Sequence, residues 1–78
     1  MNRVLITEPL RTREEFFAAL GKMHFVGDSP APSNLDALAD FVREFHVDVI
    51  VAADMALELH DYQDLVRVLE AEGVKLVR

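Results

Sequence analysis

His46-Val47-Asp48-Val49-Ile50-Val51-Ala52-Ala53 is the most continuous apolar run in the chain. It lacks the regular alternation of a strand that keeps one face in water. Such a run suits a strand buried on both faces, the central strand of a parallel sheet. Parallel neighbours cannot be joined by a tight turn, so each flank of this strand has to contain a crossover helix.

The N-terminal flank provides one at Asn34-Leu35-Asp36-Ala37-Leu38-Ala39-Asp40-Phe41-Val42-Arg43-Glu44-Phe45. Leu35, Leu38, Val42 and Phe45 recur at i, i+3, i+7 and i+10, with Phe41 beside them, and form an apolar stripe. Asp36, Asp40 and Glu44 are spaced by four and align on the opposite, solvated face. Like charges at that spacing cost about 0.2–0.5 kcal/mol per pair, and only Arg43 is close enough to relieve them. Ser33, just after Pro32, is the expected N-cap, its hydroxyl accepting from the amide of Asp36. Asp36 then lies in the first turn, where the helix dipole favours a negative charge. That reasoning does not extend to Asp40.

Before this helix lies Gly27-Asp28-Ser29-Pro30-Ala31-Pro32-Ser33, which two prolines and a glycine keep irregular and stiff. It should form a rigid shoulder beside the helix N-terminus. Lys22-Met23-His24-Phe25-Val26 reads as an apolar connection anchored by Phe25. Further back, Thr12-Arg13-Glu14-Glu15 is a capping box, opening a helix that buries Phe16, Phe17 and Leu20. Gly21 is its expected left-handed stop. The β-branched run Arg3-Val4-Leu5-Ile6-Thr7, closed by Pro9, is the first strand.

On the C-terminal flank, Asp54 to His60 mixes alternating Met55, Leu57 and Leu59 with helix formers and reads as a turn with a short helical or irregular piece. Asp61 is the expected cap of a helix whose face is Tyr62, Leu65, Val66 and Leu69. Gly73 ends that helix, and Val74-Lys75-Leu76-Val77 is the last strand. The order is β-α-α-β-α-β. The expected fold is α/β: a two-layer, three-stranded parallel sheet packed by three helices, with residues 1–78 as a single domain.

Composition narrows the function. With 51% hydrophobic residues, the 78-residue chain can bury a core. It has no cysteine, which removes disulfides, thiolate metal sites and a cysteine nucleophile, and is compatible with the reducing cytoplasm. A net charge of −6 disfavours nucleic acid and anionic membrane as partners, and suits a basic protein. His24, His46 and His60 sit on separate elements without a ligand-pair spacing, so no metal is expected. Ser29 and Ser33 lack a nucleophile elbow, and Gly21, Gly27 and Gly73 are isolated rather than a phosphate loop. No cofactor and no catalytic residue are expected, and the chain reads as non-enzymatic.

Asn34-Leu35-Asp36-Ala37-Leu38 followed by Asp40 resembles the barstar family, the small intracellular inhibitors of microbial ribonucleases. The first strand, the Thr12-Arg13-Glu14-Glu15-Phe16 helix start and the closing Ala71-Glu72-Gly73-Val74-Lys75-Leu76 are also similar. The resemblance implies a three-stranded parallel sheet with helices packed against it. It also implies a mode of action, in which the helix and its preceding loop plug the active site of a basic ribonuclease. Asp36 and Asp40 would then occupy the place of the RNA phosphate, with Asn34 at the family's asparagine. Two family anchors differ. Pro30-Ala31-Pro32-Ser33 replaces a tyrosine-rich stretch, and Ala39 replaces a tryptophan. Val68 stands where the family has a glutamate on the third helix. The expected partner-binding set is therefore Asp36, Asp40, Asn34, Ala39, Ser33, Pro30, Ala31 and Glu44. The partner would be a basic ribonuclease or nuclease toxin, met by a monomeric cytoplasmic inhibitor. The altered anchors open a second expectation, the same fold used for a partner that is not a ribonuclease.

Overall fold

Val47–Ala52 forms β2, which lies between β1 (Asn2–Ile6) and β3 (Lys75–Val77) in an all-parallel sheet of order β1-β2-β3. The structure is a computed structural model and describes residues 2–78. Three α-helices connect and cover the strands: α1 (Arg13–Gly21), α2 (Leu35–Glu44) and α3 (Leu59–Ala71), with a single 3-10 turn at His24–Val26. The β-α-α-β-α-β order and the α/β class are those the sequence indicates. Among the described residues no helix is long and apolar enough to cross a membrane.

Register divides the sheet into two unlike faces. Val4 pairs with Ile50 and Ile50 with Leu76, while Ile6 pairs with Ala52. Val4, Ile6, Ile50 and Ala52 are fully buried, in one cluster with Phe16 and Leu20 of α1, Leu38 and Val42 of α2, and Leu65 and Leu69 of α3. Each such large side chain contributes roughly 1.5–3 kcal/mol by leaving water. The other face carries the rows Arg3–Val49–Lys75 and Leu5–Val51–Val77. Leu5 there is 61% exposed, and Val49 and Val51 are only half-buried. The central strand is therefore not buried on both faces, as its continuous apolar run implies. All three helices pack on one side and leave the other uncovered.

Helix termini account for most of the remaining differences from the sequence reading. Thr12 caps α1, its hydroxyl accepting from the Glu15 amide at 3.1 Å, and Glu15 reaches back to accept from the Arg11 amide at 2.7 Å. Gly21 is not a left-handed stop. It is the last residue of α1, and the cap after it, Lys22, keeps right-handed angles (φ −88°, ψ −5°). Asp61 is not the cap of α3 either, because that helix starts two residues earlier, after Glu58. The Asp61 carboxylate instead accepts from the Arg13 guanidinium at 2.8 Å, and Asp64 accepts from the same group at 3.0 Å, tying α3 to α1. Gly73 (φ +74°) does end α3 as expected: its amide bonds to Glu70 and the Val74 amide to Leu69, a Schellman closure.

The stretch 54–58 adds a fragment to the sheet. The Leu10 amide donates to the Asp54 carbonyl and the Ala56 amide to the Leu10 carbonyl, a parallel bridge between Leu10 and Met55. Met55 and Leu57 turn towards the core, and Leu59 opens α3 exposed.

Candidate functional site

Asn34, not Ser33, caps α2. Its side-chain oxygen accepts from the Ala37 amide at 2.7 Å, from an extended backbone. Ser33 lies one position too early to reach those amides. The Asn34 side chain is thus committed to its own helix. Asp36 still falls in the first turn of that helix.

Asp36, Asp40 and Glu44 are all exposed. Four residues advance a helix by slightly more than one turn, so the stripe drifts around the axis by about 40° at each step. The drift carries its Glu44 end towards the 29–33 loop and its Asp36 end away from it. Asp36 and Glu44 form no ion pair among the described residues, and Asp40 has only a 3.5 Å contact with Arg43 Nη1. Arg43 is held elsewhere. Its Nη2 and Nε donate to the two carboxylate oxygens of Glu72 beyond α3, at 2.8 and 3.1 Å. That fork lowers the Glu72 carboxyl below the ordinary carboxylate value, the hydrogen bond outweighing partial burial, and raises the Arg43 guanidinium. The chain's nearest cation is thereby held bidentately by Glu72 and reaches the acidic stripe only at Asp40, at the limit of hydrogen-bond distance.

The proline shoulder does not stop at the N-terminus of α2 but runs along the helix, with Ala37, Asp40, Phe41, Glu44 and Phe45 facing it. Pro32 is buried, the Ser29 amide bonds to the Val26 carbonyl, and Ala31 is pressed against Gly21 at the end of α1. Between shoulder and helix runs an open groove of about 400 Å³. Ser29 to Ser33 form one wall, Asp40 and Glu44 the other, and Phe41 and Phe45 line it with Ala37. Phe41 and Phe45 stack with centroids 4.9 Å apart, and Phe25 backs Phe45 at 5.7 Å.

Of the residues expected at a binding site, the groove brings together Pro30, Ala31, Ser33, Asp40 and Glu44. Asp36, Asn34 and Ala39 lie outside it. Asn34 is occupied as a cap. Ser29 and Pro32 join the groove from the same shoulder, while the sequence reading does not place Phe41, Phe45 and Ala37 at the site. The two phenylalanines belong to the apolar stripe by periodicity, and only the position of the loop shows that they border a groove as well. Among the described residues no three His, Asp or Glu side chains converge to hold a metal ion. No family model matches the chain, and no curated protein or solved structure matches it significantly.

Proposed function

We propose that this protein is a non-catalytic, acidic binding module that docks onto a basic protein through the groove between α2 and the 29–33 loop. In its specific form it inhibits a basic ribonuclease or nuclease toxin of the cytoplasm, its carboxylates standing where the enzyme would hold a substrate phosphate. One observation carries this reading. Asp40 and Glu44 stand exposed on one wall of a stiff groove, while Arg43, the nearest cation, is forked onto Glu72, touches Asp40 only at 3.5 Å and makes no pair with Glu44. Fixed, unsaturated carboxylates facing Arg, Lys and His of a phosphate site give strong charge-assisted hydrogen bonds and fast, steered association. The resemblance of Asn34 to Asp40 to the barstar family points the same way.

A second reading keeps the groove and changes the partner. No aromatic residue stands at Pro30, Ala31, Ser33 or Ala39, whereas interfaces are commonly anchored by aromatic side chains. A basic partner that is not a ribonuclease is the alternative. Titrating the protein into small basic microbial ribonucleases, with RNA cleavage and calorimetry read in parallel, separates the two. The inhibitor reading expects one-to-one, competitive inhibition that weakens with salt. Saturable binding of another basic protein through Asp40 and Glu44, without inhibition of any ribonuclease, would move the assignment to the second reading.

A further inference from the structure

The uncovered face of the sheet is chemically unlike the rest of the molecule. Five of the eight Lys and Arg residues are engaged with carboxylates of the chain: Arg11, Arg13, Lys22, Arg43 and Arg67. Arg78 lies over the Tyr62 ring, 4.6 Å from its centroid. Arg3 and Lys75 alone form neither kind of contact among the described residues, and both belong to the open face. They flank Val49 in one registered row, and the next row, Leu5–Val51–Val77, is wholly apolar. Among the described residues, Asp48 is the one carboxylate lining the shallow cleft over the Arg3–Val49–Lys75 row.

We infer that this face is a docking surface for an amphipathic helix of a partner protein, one whose apolar stripe is bordered by carboxylates. Parallel sheets are almost always covered on both faces, and here only one is. Three strands about 4.8 Å apart make a surface about 10 Å wide, the width of one helix with its side chains. Lying along β2, the helix would set its apolar stripe over Val49 and Val51 with Leu5 and Val77 at its edges, and Arg3 on β1 and Lys75 on β3 would meet the carboxylates on either side. Charge complementarity selects this occupant over a second copy. Two copies meeting through this face would bring both pairs of cations into one interface against a single Asp48 from each. The contact is small and belongs to the transient class of interfaces. It is independent of the α2 groove.

The test uses two synthetic peptides of about 18 residues, long enough to hold a helix. Both carry the same leucine stripe, flanked by glutamates in one and lysines in the other. Each is titrated into the protein and followed by amide chemical shifts. The glutamate peptide should give saturable shifts confined to residues 3–5, 49–51 and 75–77, and the lysine peptide should not. The Arg3→Glu/Lys75→Glu variant should reverse the preference by about tenfold in each direction. Both side chains are exposed, and should the variant nonetheless unfold, the loss of wild-type binding with rising salt makes the same distinction. Equal binding of both peptides, or binding of neither, overturns the inference. So does sedimentation showing a dimer that Leu5→Asp dissociates, since a second copy would then be the occupant.

Discussion

A methyl group on Gly21 would lie 2.6 Å from the Cβ of Ala31, closer than two carbons approach unless something moves. The last residue of α1 is thus what allows the proline loop to lie flat, and it fixes the position of the groove wall without belonging to it. Gly21→Ala should lift the loop. Overpacking of this kind costs about 1–3 kcal/mol, offset by up to about 1 kcal/mol of helix propensity. Ala31→Gly in the same chain should recover part of the loss, the Ala31 Cα still lying 3.2 Å from the added methyl, and denaturant unfolding of the two single variants and the double variant measures the coupling. A Gly21→Ala protein as stable as wild type, with its binding intact, would show that the contact is not holding the loop.

The Arg43–Glu72 fork should be visible in the acid limb of stability. The Glu72 carboxyl is depressed below its ordinary 4.5 by the Arg43 hydrogen bond. Its contribution is therefore complete above that ordinary value and is lost as the pH falls through the lowered one. Glu72→Gln should flatten that part of the profile in thermal unfolding followed from pH 7 to pH 3. At neutral pH the same substitution releases Arg43 to close its 3.5 Å contact with Asp40 into a full ion pair and should weaken binding of a basic partner. Unchanged affinity would mean that the fork does not keep the cation off the stripe.

His46 occupies the position after the α2 cap with φ +53°, the only non-glycine residue with positive φ among those described. Its amide reaches the Arg43 carbonyl at 3.4 Å, while Asn2 of β1 donates to the carbonyls of Phe45 and His46. The turn is held from β1, so the left-handed backbone persists despite its cost to an L-residue. His46→Gly should gain about 0.5 kcal/mol after glycine's own entropy is set against that cost, raising Tm by roughly 3 °C. His46→Val should lose stability, since a β-branched side chain does not tolerate this conformation. Differential scanning calorimetry of the two variants tests both signs.

The fold was legible because its signals are local and periodic. The Thr12 capping box, the 3.6-residue stripe of α2, the β2 run and Gly73 each specify an element without help from the rest of the chain. What sequence could not supply was which elements meet. Gly21 reads as a stop by residue type, but its role is defined by Ala31, ten residues away. Asp61 reads as a cap until Arg13 claims its carboxylate. The β2 run predicts two covered faces because apolar character does not say how many helices exist to cover them. The carboxylate stripe was plain at the candidate site. The loop's placement along its Glu44 end was not, because two prolines fix stiffness and leave direction open.

The drift of the acidic stripe gives the charge series its expected order. Asp40 and Glu44 face the groove and Asp36 does not, so a partner seated there should discriminate among the three. Asp40→Ala lies mid-helix, caps nothing and should leave thermal unfolding nearly unchanged. Truncating one member of a desolvated interfacial charge pair costs binding about 2–5 kcal/mol, and the loss appears mainly as faster dissociation. Glu44→Ala should come next, because it removes the other carboxylate on the same wall. Asp36→Ala should affect binding least, mainly by slowing association at low salt, and should destabilise slightly through loss of a first-turn charge. Binding kinetics of the three variants against a basic ribonuclease, at two ionic strengths and beside their unfolding curves, measure the order. Equal small effects at all three positions would reduce the stripe to a solvated face and remove the α2 groove as the binding site.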